Sequence, residues 1–220
     1  MFELNSKTAP VFKGLDQLWQ VYQALDEEIA NLKAKAGIDC LPYCKKCCAT
    51  PAHHIEVSVW EILPLALALW QKGEAKQWLD KLDALEAGAP CVLFNKDPAK
   101  ISGCSAYPWR PLLCRLFGFS ACLNKRGKPL VVLCKELKEH EPGVENRVQK
   151  LVDAGLKIPV NSYYARQTAN IHPYLGQDRY PINEALKRAL AYIGLKLAYI
   201  SEDDNSHDWS PPGSSLGKPA

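Results

Sequence analysis

The chemistry this chain could carry sits in its thiols. It holds nine cysteines against a single methionine. The first group is compact: Cys40, Cys44, Cys47 and Cys48, with Cys47 and Cys48 adjacent. The second is dispersed: Cys91, Cys104, Cys114, Cys122 and Cys134. An odd count and an adjacent pair suit metal binding better than a disulfide framework. Gaps of four and three residues would put Cys40, Cys44 and Cys47 on one face of a helix. Pro42 argues against helix through Cys40, so a turn leading into a helix is expected there. Lys45 and Lys46 would favour the deprotonated sulfur that a metal requires, or simply face solvent.

The centre of the second group reads Gly103-Cys104-Ser105-Ala106-Tyr107-Pro108-Trp109-Arg110-Pro111-Leu112-Leu113-Cys114-Arg115-Leu116-Phe117. With the first group and Pro90-Cys91, this pattern resembles the YkgJ family, also called CxxCxxCC, a zinc- or iron-chelating cysteine-cluster domain. Flagellin lysine N-methylases share the pattern. The resemblance covers about Cys40 to Cys134. It implies eight metal ligands: Cys40, Cys44, Cys47, Cys48, Cys91, Cys104, Cys114 and Cys134. Ala106, and Val92-Leu93-Phe94 after Pro90-Cys91, depart from the family's usual residues in ways that read as packing changes. Hairpin arithmetic supports Cys134 over Cys122 as the eighth ligand. If a turn centres near Arg126, Cys134 falls opposite about Gly118, one helical turn past Cys114, and Cys122 lies further along the hairpin.

Eight thiolates could hold two tetrahedral zinc ions, or four of them one iron–sulfur cluster. Adjacent cysteines are expected to diverge, which argues for two sites or for a cluster with a spare thiol. The likeness to flagellin methylases leans toward iron–sulfur, with zinc as the alternative. Arg110 and Arg115 are candidates to face the excess negative charge of such a centre, or to make ordinary ion pairs. The two guanidinium groups flanking Cys114 are expected to lower its pKa. His53 and His54 follow the first group closely enough to be ligands, although a surface role is commoner. Glu56 and Glu61 have a simpler explanation at a helix amino terminus than as acids or bases. Tyr107 and Trp109 read as core. The Cys-x3-Cys-x2-Cys gaps also fit the radical S-adenosylmethionine motif, but Lys46 stands where an aromatic residue is usual. Three functions follow: a metal- or cluster-binding protein, an iron–sulfur enzyme such as an S-adenosylmethionine-using methyltransferase, or an interaction module held by zinc.

The elements that must position these thiols are mainly helical. Leu15, Leu18, Trp19, Tyr22, Leu25, Ile29 and Leu32 form one apolar stripe, and Gly37 is placed to end that helix. Ser58-Val59-Trp60-Glu61 has the form of a capping box, opening a helix to Lys72 with Pro64 as a kink. A further helix is expected over 74–87. Residues 88–135 carry five cysteines, five prolines and four glycines, the composition of turns and short elements. Within them Pro111 would open a short helix that Gly118 closes, and a small hairpin would turn through 124–128 with a strand at 130–133. Helices are expected again at 144–154, 162–171 and 183–197. The sequence therefore predicts a mainly α domain over 1–200, with an irregular cysteine-rich core at 40–135 and a small β-hairpin. Residues 201–220 read as a disordered tail. Lysine and arginine exceed aspartate and glutamate by 27 to 24. So small an excess makes no case for nucleic-acid binding. The longest uncharged apolar run, Ile62 to Trp70, has nine residues, short of the roughly 20 a membrane span needs. With no secretory signal legible at Met1–Asn5, a cytoplasmic protein is expected.

Overall fold

The structure, a computed structural model, describes residues 11–205 apart from 98 and 100–102. It is mostly helical, with two small antiparallel sheets of two strands each. Helix α1 (Leu15–Ala36) buries the predicted stripe, Leu15, Leu18, Tyr22, Leu25, Ile29 and Leu32. It ends at Gly37, whose φ of 61° is the left-handed turn that a residue with a Cβ adopts at a cost; the N–H groups of Gly37 and Ile38 both return to Lys33 O. The one-turn helix α2 (Lys46–Ala49) follows, then a 3-10 turn at Ala52–His54.

Strand β1 (Glu56–Ser58) leads into α3 (Val59–Gln71) through the predicted capping box. Ser58 Oγ accepts from Glu61 N–H at 3.2 Å, and Glu61 Oε1 accepts from Ser58 N–H at 3.3 Å. Every residue of α3 from Val59 to Leu69 is buried. A helix apolar on all sides must be wrapped, and α3 forms the axis of the core. Helix α4 (Ala75–Asp83) is shorter than the predicted 74–87. After a 3-10 turn at Tyr107–Trp109 comes α5 (Leu112–Leu116). Pro111 caps α5 from outside rather than standing in its first turn, and Gly118, at φ 83°, follows its end.

The predicted hairpin is β2 (Phe119–Leu123) with β3 (Pro129–Leu133). Its register runs from Phe119 opposite Leu133 to Leu123 opposite Pro129. In the turn, Asn124 Oδ1 accepts from the N–H groups of Arg126 and Lys128. Helix α6 (Lys135–His140) precedes α7 (Val144–Asp153), which covers the free edge of β3: Gln149 accepts from Val131 N–H at 2.9 Å and donates to Pro129 O at 3.1 Å. Helices α8 (Asn161–Ile171) and α9 (Pro173–Gln177) lead to β4 (Arg179–Pro181), which pairs with β1, and then to α10 (Ile182–Asn205). Helix α10 continues through Asn205, so 201–205 are helical where the sequence reads as tail; 206–220 lie outside the described residues. Among the described residues no helix is long and apolar enough to cross a membrane.

The tightest helix packing sets α10 against α3. Trp70 Nε1 donates to Leu190 O at 2.8 Å, and a Cβ on Gly194 would meet the Trp70 ring at 2.5 Å. Alanine is favoured over glycine within a helix by about 1 kcal/mol. Here overpacking of roughly 1–3 kcal/mol opposes that gain, because the hydrogen bond restrains the ring from swinging away. Gly194→Ala should therefore destabilise the protein by about 1 kcal/mol net. Urea unfolding measures it, and a raised midpoint would show that the ring yields freely.

Candidate metal centre

The chain reaches the first thiols through a turn. Asp39 Oδ1 accepts from both Lys33 Nζ and Cys40 N–H, at 2.7 Å each. Cys44 N–H then closes on Leu41 O at 3.0 Å, with Pro42 and Tyr43 between them and Tyr43 at φ 58°. A positive φ on a tyrosine costs about 1–2 kcal/mol, held here by the proline turn. Helix begins only at Lys46, so Cys40, Cys44 and Cys47 do not share one helix face; the expected turn leading into a helix is what forms.

The second group is folded back onto the first. Phe94 N–H returns to Cys91 O at 2.8 Å, Asn95 N–H donates to Gly103 O at 2.9 Å, and Phe94 bridges Cys104. Lys45 Nζ donates to Asn95 O at 3.2 Å and also to Asp97 O, which ties the start of α2 to this loop. The lysine within the first group is thus an anchor. A Cβ on Gly103 would meet Cys48 Cβ at 3.2 Å and Cys48 Sγ at 3.3 Å, so the absence of a side chain there lets the two groups touch. Sequence reasoning missed Gly103 as a site residue, although it stands directly before Cys104.

Cys47 and Cys48, expected to diverge, instead have their sulfurs 3.9 Å apart. A one-turn helix ending at Ala49 leaves both side chains room to lean over the same loop. Either thiol of this pair can donate to the other. The contact favours one thiolate in the pair: it lowers the pKa of Cys47, with Arg110 and two backbone N–H groups helping against burial. Cys48 is raised by the same contact, by burial and by the neighbouring sulfurs. Burial pushes Cys91 up to about 12, with Cys104 adding to the rise. Burial likewise raises Cys104, where Arg110 opposes and Cys47 adds. Cys40 is raised by burial first, with Cys47 and Cys134 contributing. These mutual influences join sulfurs of both groups into one electrostatic neighbourhood. Cys114 corrects an expectation: burial drives its pKa up to about 12, and the Arg110 charge only moderates this.

Cys134 precedes α6, directly beyond the Phe119–Leu133 pair. A Cβ on Gly118 would meet Cys134 Cβ at 3.3 Å, which is the juxtaposition the hairpin arithmetic anticipates. Cys122 lies opposite Leu130 and accepts from Asn161 Nδ2 at 3.4 Å. All nine cysteines are free thiols. Among the described residues no group of three or more His, Cys, Asp or Glu side chains is arranged to hold a metal ion. Cys40, Cys47, Cys48, Cys91, Cys104, Cys114 and Cys134 lie near enough to influence one another, but they do not form a closed coordination shell.

The two arginines separate in role. Arg110 Nη1 donates to Cys114 O at 3.1 Å, and its guanidinium lies 3.6 Å from the centre of the Tyr107 ring. Its charge reaches Cys47, Cys104 and Cys114. Arg115 is buried; it pairs with Asp26 of α1 and donates to Pro108 O at 2.6 Å and Arg110 O at 2.7 Å. It fastens the loop that carries Arg110 and is taken up by these partners. Trp109 packs on Trp19 with ring centres 5.1 Å apart, as expected of a core residue, whereas Tyr107 is exposed. His53 and His54 are exposed and lie against each other, 4.1 Å between ring centres. Glu61 is spent on the cap of α3 and an ion pair with Arg179 at 2.8 Å, and burial raises its pKa. Glu56 lies in β1, paired with Pro181.

No curated protein and no solved structure matches the chain. The segment that carries all nine thiols does match a family model: residues 39–142 fit the CxxCxxCC model, whose description reads "Putative zinc- or iron-chelating domain".

Proposed function

We propose that Cys40, Cys44, Cys47, Cys48, Cys91, Cys104, Cys114 and Cys134 bind zinc or iron as thiolate complexes, with Cys47 and Cys48 forming one edge of a four-sulfur site. The 3.9 Å separation of those two sulfurs carries this reading. A tetrahedral ion with metal–sulfur bonds of about 2.3 Å has sulfur–sulfur edges of roughly 3.8 Å. Cysteines binding the different irons of a four-iron cluster stand further apart, so the pair favours two thiolates on one tetrahedral ion over a four-iron cluster. Zinc is the better fit of the two metals, since an all-sulfur tetrahedron is its usual closed site. Thiols gathered but not yet closed suit a domain in which binding completes the shell and releases their protons. Arg110 offsets the negative charge of the complex from beside Cys47, Cys104 and Cys114. The bound ion would tie the first cysteine segment to the loop-rich stretch behind it.

The test is anaerobic purification followed by metal and acid-labile sulfide analysis. Zinc or iron without labile sulfide is expected. Iron with stoichiometric sulfide would replace the single-ion reading with a cluster. The Gly103 contact yields a separate prediction. Gly103→Ala pushes on Cys48 at 3.2–3.3 Å and should weaken metal binding by about tenfold, the lower end of what is lost when support around a metal site is disturbed. Competition against a chromophoric chelator measures this, and unchanged affinity would show that Cys48 moves without consequence.

A further inference from the structure

Cys91 is the most buried of the eight proposed ligands, and one of the braces on its loop lies outside residues 39–142. Asn183, in the first turn of α10, accepts from Val92 N–H at 2.8 Å through Oδ1 and donates to Pro90 O at 3.1 Å through Nδ2. One side-chain amide therefore grips the backbone on both sides of Cys91, as a neighbouring β-strand would. The same loop is braced from its other side, where Pro51 bridges Pro90 and Ala52 N–H donates to Ala89 O at 2.9 Å. The start of α10 is itself fixed, because Ile182 N–H donates to Ile55 O at 2.8 Å and β4 pairs with β1. The orientation of the peptide units at 90–92 sets the direction of the Cys91 side chain. The helix that wraps α3 thereby reaches the thiols through a single residue.

We propose that Asn183 is a positioning residue that aims the Cys91 thiol into the thiolate site, so that metal affinity depends on α10 as well as on residues 39–142. This rests on Cys91 being a ligand, and its test separates the two claims. In metal-free protein, the alkylation rate of each cysteine by iodoacetamide is read by peptide mass spectrometry. Asn183→Ala should raise the rate at Cys91 on the order of tenfold while Cys104 and Cys114 stay near wild type, because only the local brace has opened. A parallel rise at all three thiols would make Asn183 a general stabiliser, and no rise at Cys91 would remove the brace; either result overturns the proposal.

Zinc affinity supplies the second readout. Asn183→Ala should weaken zinc binding by about 10–100-fold, as loss of an outer partner of a metal ligand does. In a Cys91→Ser background it should cost nothing further, because the residue through which it acts is gone. An equal loss in both backgrounds, or no loss in the wild-type background, overturns the proposal. Arg188→Ala, on the exposed side of the same helix, serves as the control and should leave both readouts unchanged. If wild-type protein binds no zinc or iron, the thiolate reading fails, and the alkylation pattern alone decides whether Asn183 aims Cys91.

Discussion

Cys47→Ser and Cys48→Ser should each strip metal from the protein, while Cys122→Ser leaves the metal content of wild type. Serine is a poor ligand for a soft thiophilic ion, and each change removes one end of the 3.9 Å sulfur pair. Cys114→Ser should behave like the first two. Cys122 differs in place rather than in chemistry. It is exposed on the hairpin opposite Leu130, and its contact with Asn161 is one that a serine hydroxyl can also accept. The measurement is metal per chain for the four variants beside wild type. Equal stoichiometry throughout would dissolve the ligand assignment, and selective loss in Cys122→Ser would mean that Cys122 and Cys134 have been exchanged.

Arg115→Met should cost about 2–3 kcal/mol of folding stability, on the order of the charge-assisted hydrogen bonds lost. Asp26 is half-exposed and regains water when its partner goes, so its carboxylate contributes little to the loss. The cost arises at the part-buried carbonyls of Pro108 and Arg110, which accept from Arg115 at 2.6 and 2.7 Å; a hydrogen bond to a charged group contributes about 1.5–3 kcal/mol. The guanidinium also lies 4.4 Å from the Tyr22 ring centre, a contact methionine replaces only in part. Arg115→Lys should rescue little, because one ammonium cannot span the fork that reaches a carboxylate and two carbonyls. Urea unfolding at fixed metal content measures both. A loss below about 0.5 kcal/mol for Arg115→Met would place it among ordinary surface changes and remove the clamp.

Features fixed by local spacing were legible in the sequence. The α1 stripe, the Ser58–Glu61 capping box and the hairpin all formed where periodicity and turn residues put them. The hairpin matters most for the site, because counting outward from its turn already set Cys134 beside Gly118 and carried Cys122 away from it. Features decided by distant partners were not legible. Strands β1 and β4 have three residues each and meet across 120 intervening residues of chain, so neither carries a periodic signal. The partner of Arg115 is Asp26, 89 residues earlier, and nothing near Arg115 announces it. The pKa of Cys114 runs opposite to what its flanking charges imply, because flanking charge is visible in a sequence and burial is not. The adjacent cysteines were expected to diverge as they would in regular backbone, whereas they sit in a single helical turn bounded by a left-handed Tyr43 on one side and extended Thr50 on the other.

The central claim is that these thiols, as thiolates, directly ligate isolated metal ions, four sulfurs to each ion. X-ray absorption at the metal edge of the loaded protein tests it most directly. The account predicts a first shell of sulfur at about 2.3 Å, near four per metal, with no short metal–metal distance beyond it. A first shell of nitrogen and oxygen alone, at about 2.0–2.2 Å, would contradict it.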